Sequence, residues 1–172
     1  MTSKEALALI DKVKLPDNGP ARWADLGCGS GLFTRAIAAL LPAGSTVFGI
    51  DTDPGINNQN VDDVEIKTVK SDFSKDFSVD ELDGIIMANS LHYIKNKPEF
   101  VQNLKTTLKP GATVIIVEYD TDKPVSHWVP YPISHRKLVD LFYEAQYGTI
   151  TKLGERKSKY QSGSIYAVSI AV

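Results

Sequence analysis

Apolar positions along this 172-residue chain follow two alternating periods. Ala6, Leu9, Ile10 and Val13 fall on one face of a short helix capped by Ser3, and the breakers of 15–20 end it. An apolar run over 21–26 predicts the first strand. A helical pattern then begins near Ser30, with Phe33, Ile37, Leu40 and Leu41 as its core stripe, and Pro42-Ala-Gly44 stops it. Further strands are predicted at 46–50, 64–69, 82–88 and 112–118. Phe100, Leu104 and Leu108, spaced i, i+4, i+8, mark a helix between the last two, stopped by Pro110-Gly111. A final helix near 134–145 puts Leu138, Leu141, Phe142 and Ala145 on one side. Two strands near 148–153 and 164–171 close the chain without a crossover helix, which reads as a hairpin. Strands alternating with helices predict a mostly parallel sheet covered on both faces. With no repeat or low-complexity stretch, residues 1–172 read as one domain, 1–20 being a short helix and linker.

The loop after the first strand is where chemistry enters. It reads Asp25-Leu-Gly27-Cys-Gly29-Ser-Gly31, and the second strand ends on Asp51, 20 residues after Gly31. A strand, a glycine loop, a helix and a second strand closing on an acid make a β-α-β unit suited to an adenosine-containing ligand. The dinucleotide fingerprint wants a third glycine at position 32, which is Leu32 here. Asp25 would repel a pyrophosphate but suits an ammonium group. The pocket therefore reads as one for a zwitterionic nucleoside, and an NAD-dependent dehydrogenase is disfavoured.

At these residues the chain resembles class I S-adenosylmethionine-dependent methyltransferases, whose first motif is [D/E]-x-G-x-G-x-G. The resemblance covers nearly the whole chain and implies a Rossmann-like α/β/α sandwich. Its sheet would be seven-stranded and mostly parallel, with one antiparallel strand from the C-terminal hairpin. It implies S-adenosylmethionine as methyl donor and S-adenosylhomocysteine as product. Gly27, Gly29 and Gly31 would let backbone approach the methionine portion, with Asp25 holding its ammonium through water and the start of the following helix facing its carboxylate. Asp51, with Thr52 beside it, offers two acceptor oxygens to two ribose hydroxyls. Asp53 reads only as a turn residue capping its own backbone. By family position Asp72 and Phe73 hold adenine, and the Asn89 carbonyl flanks the sulfonium.

Within Asn89-Ser-Leu-His92-Tyr93, His92 is the candidate general base, its alternative being a core residue packed under the next helix. An Asn/Asp-Pro-Pro-Tyr/Phe motif is absent, which argues against adenine-N6 or glutamine methylation. Glu118-Tyr119-Asp120 either touches the acceptor or merely closes its strand. In Pro124–Ile133, which includes His127, Trp128 and Tyr131 either wall an acceptor or cap the core. Lys152, Arg156, Lys157 and Lys159 read as a solvated hairpin or an anion contact. Only 12 residues separate Asp51 from Val64, so the family's helix there must shrink to about a turn or become a loop, leaving adenine more exposed or covered by another chain. The short N-terminal segment leaves no room for a helical lid.

Composition narrows the setting. Lys plus Arg number 19 against 21 Asp plus Glu, so no global basic field calls for nucleic acid. One cysteine, Cys28, forms no internal disulfide and suits a reducing cytoplasm; in a tight turn it reads as a small residue rather than a nucleophile. The first residues lack the apolar core of a signal peptide, and no stretch reaches membrane-spanning length. The three histidines show no metal-ligand spacing, so no metal is expected. A small-molecule acceptor, methylated on O or N, is the leading expectation. A protein or RNA acceptor, a homodimer, and a catalytically silent cofactor-binding regulatory subunit are the alternatives.

Overall fold

The computed structural model describes residues 1–15, 19–75, 77–125, 128–158 and 163–172; His127, Lys159 and part of the predicted linker lie outside the described residues. Helix α1 (Ser3–Ile10) starts one residue earlier than expected. Its cap is Thr2, not Ser3, because Glu5 completes a reciprocal capping box with Thr2. Strand β1 (Arg22–Leu26) leads through the glycine loop into α2 (Leu32–Ala38), and β2 (Thr46–Asp51) follows.

The segment after β2 forms neither a helical turn nor only a loop. Gln59–Val61 is a short strand, β3, paired antiparallel with β4 (Val64–Lys70) across a tight turn in which Asp62 takes φ 49°. The sheet consequently has eight strands rather than seven. Next come β5 (Leu82–Ala88), a 3-10 turn (Leu91–Tyr93), α3 (Lys97–Lys105), β6 (Leu108–Tyr119), α4 (His135–Glu144), β7 (Ile150–Lys157) and β8 (Ser164–Ala171). Leu108, placed above on the helix before the last long strand, instead opens β6. The hydroxyls of Thr106 and Thr107 donate back to the carbonyls of Asn103 and Leu104, ending α3 early.

Sheet order is β3-β4-β2-β1-β5-β6-β8-β7. The strands from β4 to β6 pair in parallel, whereas β8 runs antiparallel to both β6 and β7. Each sheet face buries its own apolar cluster. Leu104, Leu138 and Phe142 of α3 and α4 pack on one face, and Ala6, Ile10, Phe33 and Ile37 of α1 and α2 on the other. This is the three-layer α/β/α sandwich. Among the described residues no helix is long and apolar enough to cross a membrane.

The parallel order decides where the site lies. β1, β2, β4 and β5 all end on one edge, so the loops after Leu26, Asp51, Lys70 and Ala88 form a single rim at their carboxyl ends.

Candidate active site

The glycine loop is shaped by contacts that side chains would block. Gly27 has φ +81°, and a Cβ there would meet Ser90 Cβ at 2.5 Å. Ser90 Oγ donates to the Leu26 carbonyl at 2.6 Å, pinning the β5 loop beneath the turn. Gly31, φ +76°, leaves its Cβ position to Ile56, whose Cδ1 would be 2.2 Å away. At Gly29, by contrast, nothing lies within 4 Å of the Cβ position. The turn is packed below and open above.

Asp51 ties this loop to β2. Its Oδ2 accepts from the Gly29 N–H at 2.9 Å, and its Oδ1 from the Asp53 N–H at 3.1 Å. Asp25 lies deeper, 1% exposed. Its Oδ2 accepts from Thr34 Oγ1 at 2.6 Å, while Oδ1 is buried without a hydrogen-bond partner. Burial pushes its carboxyl up to about 7; the Thr34 bond opposes the rise and the nearby Asp51 charge adds to it. A buried acceptor without a donor is costly in the ligand-free fold, so Asp25 presents an unmet demand for a cation or a water-borne donor. Burial first, then Asp25 and Asp51, push the Cys28 thiol up to about 12, so it is no nucleophile at neutral pH.

Two adjoining clefts line the rim. One, of about 340 Å³, is bounded by Asp25, Gly27, Gly29, Leu32 and Asn89. Its neighbour, of about 420 Å³, is bounded by Asp51, Thr52, Asp72, Phe73 and Ser90. Both share Gly27, Asp51, Asn89 and Tyr93. Asp72 is engaged within its own turn: Oδ1 accepts from the Ser74 hydroxyl at 2.6 Å, and Oδ2 pairs with Lys75 at 3.1 Å. These bonds hold its carboxyl below the usual range.

A third pocket, about 310 Å³, opens beside them and is lined by Asn89, His92, Tyr93, Tyr119, Val125, Trp128 and Val129. Asn89 is common to all three clefts. It holds φ 55°, a left-handed conformation that asparagine tolerates, and its Oδ1 is buried without a partner.

His92 is held from three directions. Its Nδ1 lies 2.8 Å from Glu118 Oε2, and its backbone N–H donates to Glu118 Oε1 at 3.1 Å. Its carbonyl accepts from the Tyr131 N–H at 3.0 Å. Both side chains of the pair are buried, at 3% and 1% exposure. A carboxylate on Nδ1 fixes the tautomer that leaves Nε2 as the accepting nitrogen. Lys97, buried nearby, donates to the carbonyls of Ile94 at 2.8 Å and Tyr131 at 2.5 Å. The turn carrying His92 and the segment carrying Trp128 thus form one hydrogen-bonded unit.

A family profile described as a methyltransferase domain matches residues 2–153. The chain belongs to that methyltransferase family. Solved structures share its fold. A Haemonchus contortus phosphoethanolamine N-methyltransferase, in complex with phosphomonomethylethanolamine and S-adenosylhomocysteine, superposes with a TM-score of 0.70 at 14% identity, over 98% of this chain and 52% of that one. The CurJ carbon methyltransferase gives 0.69 at 19%, over 92% and 50%. A highly reducing polyketide synthase of Emericella nidulans is 39% identical over 49 residues, 28% of this chain and 2% of that protein. The chain therefore spans about half the length of those two solved enzymes and a small fraction of the synthase.

Within this methyltransferase, Asp25, Gly27, Gly29, Asp51, Thr52, Asp72, Phe73 and Asn89 all border the two joined clefts, and His92 borders the third. Gly31 shapes the turn from behind rather than lining it. Trp128 and Tyr131 do not cap the core: they are 64% and 41% exposed, and Trp128 lines the third pocket. Lys152 pairs with Glu155 within β7, and Arg156 with Glu5 of α1, tying the hairpin to that helix. The residues that sequence reasoning missed are Lys97 and the pairing of Glu118 with His92. Glu118 did carry a signal, an acid at the end of an otherwise apolar strand. Among the described residues no three His, Cys, Asp or Glu side chains group to hold a metal.

Proposed function

We propose that this enzyme transfers the donor's methyl to a small molecule seated in the Asn89–Trp128 pocket. The supporting observation is continuity: that pocket joins both other clefts at Asn89 and Tyr93, with His92 in its wall and Glu118 bonded behind it. S-adenosylmethionine would lie along the two joined clefts. Asp25 Oδ1 would meet its ammonium through water, and the open backbone at Gly29 leaves room beside it. Asp51 and Thr52 would take the ribose, Phe73 the adenine face, and the Asn89 loop the methyl. Asp72 would reach the adenine amino group only by sharing oxygens already engaged by Ser74 and Lys75. The donor supplies an electrophilic methyl on sulfur. The chain's part is to hold the acceptor in line, exclude water, and accept the proton at His92 Nε2.

Calorimetry with S-adenosylmethionine, S-adenosylhomocysteine and NAD tests the first half. Binding of NAD alone would sink it. Transfer from a methyl-labelled donor into metabolite and macromolecule extracts tests the second. Label recovered in protein or RNA, and in no small molecule, would reassign the acceptor.

A further inference from the structure

We propose that the acceptor is a neutral aromatic compound that presents a hydroxyl to His92, and is neither an amine nor a carboxylate. This rests on the reading that the third pocket is the acceptor site. Three observations carry it. The wall is aromatic and aliphatic: Tyr93, Tyr119 and Trp128 supply rings, and Val125 and Val129, joined by an antiparallel bridge, supply branched aliphatic surface. Such walls favour a flat ring. Second, among the described lining residues there is no Lys, Arg, Asp or Glu. The charges behind the wall are already engaged. Glu118 accepts from His92 twice and from the Tyr119 N–H, and Lys97 donates to two carbonyls. Among the described lining residues neither an ammonium nor a carboxylate finds a counter-charge, so each would lose hydration with no charge of those residues to replace it.

Third, the His92–Glu118 pair is useful only to an acceptor that begins protonated. An ammonium would also have to give up a proton, but only after shedding its hydration against described residues that carry no charge. A phenol near pKa 10 is ionised in roughly one part in a thousand at neutral pH, and a positioned base contributes about 10²–10⁴-fold. In the step, the hydroxyl proton passes to His92 Nε2 while the oxygen forms its bond to the methyl carbon. The carbon–sulfur bond breaks with its electron pair remaining on sulfur. A sulfonium, a hydroxyl and an imidazole become a thioether, a methyl ether and an imidazolium, and the buried Glu118 carboxylate stabilises that cation.

The test uses three probes with one ring system: 2-naphthol, 2-naphthylmethylamine and 2-naphthoate. Each is titrated by calorimetry into protein saturated with S-adenosylhomocysteine, and each is then offered with labelled S-adenosylmethionine. The naphthol is expected to bind at least about tenfold tighter than either charged analogue and to yield the methyl ether. His92→Ala should lower that rate about 10²–10⁴-fold with naphthol affinity within about threefold. Glu118→Gln should slow transfer while S-adenosylhomocysteine affinity is kept, which also reports folding. Preference for the amine or the carboxylate overturns the inference, as does absence of naphthol binding and methylation in protein that binds S-adenosylhomocysteine normally. Protein that does not bind S-adenosylhomocysteine refutes the cofactor assignment instead, so the two failures are distinct.

Discussion

With Asp25 meeting the ligand's ammonium, as proposed, binding becomes a proton-linked event. The Asp25 carboxyl is pushed up to about 7 by burial, offset by the Thr34 bond and reinforced by Asp51. In the ligand-free protein it is therefore mostly protonated at pH 6, whereas an ammonium held beside Oδ1 demands the ionised form. Below pH 7 the ligand's α-amino group, more basic than a chain N-terminus, stays protonated, so changes there belong to the protein. The affinity for S-adenosylhomocysteine should fall about fivefold from pH 7 to 6 and nearly tenfold more from pH 6 to 5, about 50-fold in all. Close to one proton should be released per ligand bound at pH 6. Calorimetry in two buffers of different ionisation enthalpy reads both quantities. Asp25→Asn should flatten the pH profile and cost about 1.5–3 kcal/mol at pH 8, roughly 10- to 150-fold in Kd. Thr34→Val removes the bond that opposes the shift, so the midpoint should move above 7. An affinity independent of pH, with no proton released by the wild type, would refute the reasoning.

The same carboxyl sets the stability of the free protein. Its folded-state value lies above the unfolded value of 3.8, so its favourable contribution is complete below about pH 4 and is lost as pH rises through 7, on the order of 4 kcal/mol in total. Urea midpoints should follow that slope in the wild type and not in Asp25→Asn. Gly27→Ala adds a Cβ at 2.5 Å from Ser90 Cβ at a residue with φ +81°. It should cost about 2–5 kcal/mol in denaturant unfolding, and a change below about 0.5 kcal/mol would contradict the packing described. Asp51→Ala strips an acceptor from the Gly29 and Asp53 N–H groups. A loss of S-adenosylmethionine affinity of roughly 10- to 150-fold is expected, and unchanged affinity would remove Asp51 from the ribose site. Phe142→Ala opens the α4 core, where the ring sits 4.9 Å from that of Tyr147, and should cost about 3–5 kcal/mol. Lys97→Met should speed amide exchange at Tyr131 while S-adenosylhomocysteine binding holds, because its ammonium clamps the Tyr131 carbonyl.

The cofactor half of the site was largely legible in the residue order. A strand, a turn and a helix are local structures, and a glycine loop between Asp25 and Leu32 leaves few ways to turn the chain. Parallel pairing then brings Asp51 to Gly29 with no further information, since β1 and β2 must end on the same edge. Strand and helix existence followed from periodicity for the same reason, β3 apart, and the other misses were at boundaries. Leu108 kept the helical spacing, but threonine hydroxyls ended the helix before it.

The proposed acceptor half was decided by tertiary structure. Glu118 lies 26 residues from His92 and meets it only because β6 pairs beside β5. Lys97 reaches Tyr131 across 34 residues. The Val125–Val129 bridge turns Trp128 toward the pocket rather than the core. At the other sheet edge, the missing helix became β3 because β4 offered an unpaired ladder of backbone groups. Pattern and spacing act over one or two turns of chain. A buried histidine–carboxylate hydrogen bond, a pocket wall and an edge strand depend on which distant segments the sheet order makes neighbours, and that order emerges only once the whole core is packed.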